Sequence, residues 1–143
     1  MADFPAERVP IRVLVVDDEV DFATALAARL QRRGFIASAA FSGADAVRSA
    51  GSATADVMVL DLKMPGMDGL ATLREVRRVA PAVRVIVLTG HGTVASGIDG
   101  MQIGAEDFLQ KPADIDTLCT AIIAAAARAQ HAPGADEIGG GQQ

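Results

Sequence analysis

Apolar residues along this chain fall into two kinds of segment that alternate. Short unbroken runs stand at Ile11 to Val16 (IRVLVV), Phe35 to Phe41 (FIASAAF), Val57 to Leu60 (VMVL), Val83 to Leu88 (VRVIVL) and Asp107 to Leu109 (DFL). Between them lie longer stretches in which apolar residues recur at every third or fourth position. The runs predict five strands and the longer stretches predict helices. Three of the runs are β-branched and nearly free of polar interruption, which suits strands covered on both faces of a parallel sheet. The second run, with Ser38 and its alanines, has poorer strand propensity.

The clearest helix is the last, where Ile115, Leu118, Cys119, Ile122, Ile123 and Ala126 follow the spacing of one helical face behind Asp114 as N-cap. Ser42 to Asp45 (SGAD) reads as a capping box. Asp68 can cap a third helix whose Leu70, Leu73 and Val76 face inward, leaving Arg74, Arg77 and Arg78 to solvent. The fourth helix, roughly Thr93 to Ile103, holds Gly97 and Gly100, each costing about 1 kcal/mol relative to alanine, and is expected to be the least stable. Strand and helix alternating five times predict an α/β domain with one parallel sheet and helices on both faces. The expected boundaries are an N-terminal extension over 1–10, the domain over 11–130, and a disordered Gly-rich tail over 131–143.

Composition narrows the function. The chain has 143 residues, enough for one domain, and half of them are hydrophobic, with no Trp or Tyr, so the core must be aliphatic. A formal net charge of −5 offers no footprint for nucleic acid. Cys119 stands alone, so it forms no internal disulfide and is expected in the core. The N-terminal sequence has no apolar segment for export or anchoring, which predicts no membrane and a cytoplasmic location.

The chemistry collects at the strand ends. In open parallel sheets ligands bind at the carboxyl edge. There the first strand delivers Asp17, Asp18 and Glu19, the third Asp61, the fourth Thr89 and Gly90, and the fifth Lys111 and Pro112. Two carboxylates about 4 Å apart repel by roughly 4 kcal/mol at an effective dielectric near 20, so Asp17, Asp18 and Asp61 need compensation. Lys111 supplies one positive charge, and a hard divalent cation, Mg²⁺ or Mn²⁺, would supply two. A cation with open positions beside a lysine and a threonine hydroxyl is suited to a phosphoryl group, for which Asp61 is the natural acceptor.

These residues also match a family. VLVVDDE, VLDLKMPGMDG, VLTGHG and DFLQKP, in that order and spacing, resemble the receiver domain of two-component response regulators over about Ile11 to Ala127. The resemblance implies a doubly wound five-stranded sheet of order 2-1-3-4-5. It implies a signalling domain rather than an enzyme, phosphorylated on Asp61 by a sensor histidine kinase or phosphotransfer protein. It further implies Asp18 as direct metal ligand, Asp17 acting largely through water, the Lys63 backbone carbonyl as another ligand, Thr89 and Phe108 as switch residues, and a cis Lys111–Pro112 bond. The surface of the fourth helix, fifth strand and fifth helix would then change shape. Lys63 and His91 would tune the lifetime of the acyl phosphate. The resemblance leaves the output partner unknown and homodimerisation on phosphorylation open. Most such domains precede an output domain, whereas here a 13-residue tail follows, so a single-domain regulator and a truncated one are both compatible.

An alternative is a Mg²⁺-dependent aspartyl-nucleophile phosphatase of haloacid-dehalogenase type. That chemistry wants a second Asp two residues after the nucleophile, where this chain has Lys63. Nucleotide or flavin binding would want a glycine-rich loop after the first strand, where two aspartates stand. A pseudo-receiver used only for docking would not need the intact acid pair, acceptor, Thr and Lys. Glu19 is expected to cap the first helix rather than to bind metal.

Overall fold

A computed structural model of the chain describes residues 10–52, 55–63, 68–90 and 94–130, and the statements below concern these. The elements are β1 (Arg12–Val16), α1 (Val20–Arg32), β2 (Ile36–Ala40), α2 (Gly43–Ser52), β3 (Val57–Leu60), α3 (Gly69–Val79), β4 (Arg84–Thr89), α4 (Val94–Ile103), β5 (Asp107–Gln110) and α5 (Ile115–Gln130). All five apolar runs are strands, shifted by at most a residue or two. They pair in parallel in the order β2-β1-β3-β4-β5.

Side chains of a strand alternate between faces, so an unbroken apolar run must feed two cores. Val13, Val15, Val57, Val59, Ile86 and Leu88 point to the side covered by α1 and α5, where they meet Leu26, Leu30, Leu118 and Ile122. Leu14, Val16, Met58, Leu60, Val85 and Val87 point to the opposite side, against Ala46, Ala50, Leu73 and Val76 of α2 and α3. Each fully buried Leu or Ile here contributes about 1.5–3 kcal/mol over its exposed state. Cys119 is buried in the first of these cores, as expected.

Local capping follows the sequence. Asp68 Oδ1 accepts from the Ala71 amide at 2.8 Å, and Asp114 Oδ2 from the Thr117 amide at 3.1 Å. Ser42 Oγ accepts from the Asp45 amide at 3.1 Å, while the Asp45 carboxylate turns to Arg48, so only half of the capping box is made. Gly69 is required sterically: its amide donates to the Leu62 carbonyl at 2.8 Å, and a Cβ would stand 2.1 Å from Leu62 Cα. Gly104, at φ +126°, supplies the left-handed turn that ends α4.

Two expectations need correction. Ile123 shares the apolar spacing of α5 but is 52% exposed, because the helix face that touches the sheet is narrower than its apolar stripe. Arg77 does not extend into solvent; its guanidinium folds back to donate to the carbonyls of Val83 and of Pro81, the latter at 2.7 Å. Burial, together with the neighbouring Arg84 charge, lowers its pKa. Beside it, Glu106 accepts from Arg84 Nη1 at 3.3 Å and from Arg128 Nε at 2.7 Å, which ties β4, the start of β5 and the end of α5 together. This cluster lies at the amino edge of the sheet.

Candidate functional site

At the carboxyl edge the sheet ladder runs one residue past the strand ends. The Asp17 amide donates to the Ala40 carbonyl at 3.1 Å, the Asp61 amide to Val16 at 3.0 Å, and the Lys111 amide to Thr89 at 3.0 Å. Backbone bonding to neighbouring strands therefore sets where these side chains begin. Asp17, Asp61 and Thr89 are all buried, and Asp18 is half-buried.

Carboxylate oxygens of Asp17, Asp18 and Asp61 lie within 4.8 Å of one another. Asp61 Oδ1 accepts from the Lys63 amide at 3.2 Å, and the Thr89 hydroxyl donates to the same carboxylate. Burial pushes the Asp61 carboxyl above its ordinary range; the Thr89 and Lys63 hydrogen bonds oppose this, the Asp17 charge adds to it and Lys111 offsets it. Asp17 uses Oδ1 to accept from the Glu19 amide at 3.0 Å and Oδ2 to accept from Lys111 Nζ at 2.7 Å. Burial alone would lower the Lys111 pKa, but the bond and charge of Asp17, the field of Asp61 and a bond to Glu19 outweigh it and raise it.

Three carboxylates thus converge with one ammonium among them, leaving uncompensated negative charge at close range. Among the described residues their donors are hard oxygens, with no Cys or His in the cluster, a set that fits a hard divalent cation of the Mg²⁺ class better than Zn²⁺. Such a cation would sit beside a buried carboxylate flanked by a hydroxyl and an ammonium, an arrangement able to stabilise an oxygen-rich anion.

Sequence reasoning named Asp17, Asp18, Asp61, Thr89 and Lys111, and the fold brings all five to one edge. Lys63 contributes its amide to Asp61, and its side chain is exposed. Phe108 is half-buried against the α2 and α3 core, and the Lys111–Pro112 bond is cis. His91 and Thr93 lie outside the described residues. Glu19 needs correction. It holds the N-cap position of α1 but makes no side-chain cap bond; its Oε1 stands 3.3 Å from Lys111 Nζ instead. The ammonium also lies 4.1 Å from the centre of the Phe22 ring. Neither contact has a signal in the sequence, since 92 positions separate Glu19 from Lys111.

The chain resembles known proteins in sequence and in fold. Residues 13–123 match the response regulator receiver domain family. The chain is 37% identical over 111 residues to the transcriptional regulatory protein ZraR of Salmonella typhimurium, a match that covers 78% of this chain and 25% of that protein. It therefore spans about a quarter of that relative's length. A response regulator protein from Burkholderia pseudomallei, solved with a phosphorylated aspartic acid, a calcium ion and citrate, is 28% identical with a TM-score of 0.75, covering 89% of this chain and 75% of that one. The fold is also shared with a CheY-like receiver domain protein from Methanospirillum hungatei, at TM-score 0.82 and 20% identity, covering 86% of this chain and 98% of the other. No helix among the described residues is long and apolar enough to cross a membrane.

Proposed function

This chain belongs to the response regulator receiver domain family of two-component signalling, and from that premise we propose that Asp61 is the phosphoacceptor of a Mg²⁺-dependent switch. The observation that carries the reading is the convergence of Asp17, Asp18 and Asp61 oxygens within 4.8 Å around a buried carboxylate bonded to Thr89 and lying in the field of Lys111. Asp17, Asp18, Asp61 and the Lys63 backbone carbonyl would hold the Mg²⁺ (or Mn²⁺), which when bound supplies charge to neutralise phosphoryl oxygens.

An Asp61 oxygen attacks phosphorus of a phosphohistidine on a sensor histidine kinase or phosphotransfer protein. The O–P bond forms as the P–N bond breaks, and the nitrogen keeps the electron pair and takes up a proton. Lys111 and the Thr89 hydroxyl then pair with phosphoryl oxygens. Movement of Thr89 makes room for Phe108, and the α4, β5 and α5 surface shifts its population of states. The chain assists its own phosphorylation and dephosphorylation without turning over a separate substrate. The cytoplasm is its expected location.

The haloacid-dehalogenase alternative gains no support, since the family match is to receivers and the Lys63 ammonium offers no carboxylic acid for leaving-group protonation. The test is incubation with Mg²⁺ and acetyl phosphate or beryllofluoride. A saturable spectroscopic change is expected in the native chain and none in Asp61→Asn; an equal change in both overturns the assignment.

A further inference from the structure

Among the described residues, the contacts of the Lys111 ammonium come from the end of β1 and the first turn of α1. Asp17 Oδ2 stands at 2.7 Å, Glu19 Oε1 at 3.3 Å, and the Phe22 ring centre at 4.1 Å. Phe22 follows Glu19 by three residues, the spacing that places two side chains on one helix face. The Glu19 side chain has no capping bond to make, although it occupies the N-cap position. Its backbone amide is held by Asp17 Oδ1 at 3.0 Å, which fixes where its carboxylate starts.

We infer that Glu19 is a positioning residue that parks the Lys111 ammonium beside Asp17 and so opposes capture of a phosphoryl group on Asp61. The inference rests on the reading of Asp61 as phosphoacceptor. Lys111 meets Asp61 through its field and is hydrogen-bonded to Asp17 and Glu19, so pairing with an oxygen carried by Asp61 means leaving that seat. The Asp17 contact is contested in any case by the cation that Asp17 would help to hold. The charged contact specific to the parked position is therefore Glu19. Because Glu19 is largely exposed, its hold is that of a surface ion pair, worth about a two- to fivefold change in an equilibrium.

The test compares Glu19→Gln, which removes the charge, with Glu19→Asp, which keeps the charge and shortens the arm. Beryllofluoride affinity in Mg²⁺ and the Lys111 ammonium resonance of the ligand-free protein are measured for each. Both variants are expected to bind beryllofluoride about two- to fivefold more tightly and to shift the Lys111 resonance. Tightening in Glu19→Gln alone would mean a general field effect and overturn the inference. Unchanged affinity in both, with native binding intact, would overturn it while leaving Asp61 as acceptor. A lowered melting temperature with an unmoved Lys111 resonance would mark a capping role and overturn it too. Failure of the native chain to bind beryllofluoride any better than Asp61→Asn would instead overturn the phosphoacceptor reading.

Discussion

The two edges of this sheet carry the same kinds of charge in opposite proportion. At the amino edge one carboxylate, Glu106, is shared by Arg84 and Arg128, while nearby Arg77 places its donors on backbone carbonyls. At the carboxyl edge Asp17, Asp18, Asp61 and Glu19 gather around Lys111. The first cluster is closed by the protein's own cations and joins elements. The second is short of positive charge, an imbalance that a divalent cation from solution would offset. Charge proportion, more than residue type, separates a structural cluster from a reactive one.

Removing the central carboxylate should break this contrast most. Asp61→Asn is expected to abolish phosphate incorporation from acetyl phosphate, as read by intact mass. It should also stabilise the fold at neutral pH by about 1–3 kcal/mol, chiefly because a buried charge is removed and secondarily because its repulsion by Asp17 is relieved, as read by denaturant unfolding. The sign follows from linkage: the Asp61 carboxyl is raised in the folded state, so the folded protein binds that proton more tightly than the unfolded chain does. Its ionised form therefore costs stability above the folded pKa, and the cost fades as pH falls through that value. Unfolding measured against pH should show the native chain approaching the Asn variant on the acid side. A gap that widens there would break the assignment of strain to Asp61.

Next in size is Gly69→Ala, which drives a methyl into the Leu62 backbone beside Asp61 and is expected to cost roughly 2–4 kcal/mol in thermal unfolding. Glu106→Gln should cost about 1–3 kcal/mol, since the mostly buried Arg84 loses its counter-charge, with beryllofluoride affinity unchanged. Weakened binding in that variant would mean that the two edges are coupled. Smallest is Arg33→Ala, which removes the exposed ion pair to Asp116 between α1 and α5 and should lower the unfolding midpoint only slightly, within reach of careful denaturant titration.

What could be read in the sequence follows the range of the interaction. Strands were legible because a fully buried strand must be apolar at every position, as Val57–Leu60 is. The caps at Asp68 and Asp114 were legible because donor and acceptor lie three residues apart. The convergence of Asp17, Asp61, Thr89 and Lys111 was legible because all strands of a parallel sheet end at the same edge. Strand order is not written in apolar spacing and follows only from the resemblance to a family. The exposure of Ile123, the folding back of Arg77 and the engagement of Glu19 were not legible, because each depends on what a distant element places opposite the side chain.

The amides of Asp17, Asp61 and Lys111 are all bonded to the adjacent strand. The backbone from which these side chains start cannot separate to relieve the repulsion between the Asp17 and Asp61 carboxylates without breaking those bonds. Uptake of ions or phosphate should consequently leave the strands still and be accommodated by side-chain rotation and by the loops above. A floor that stays still would confine any response to the molecule's outer surface beside the site.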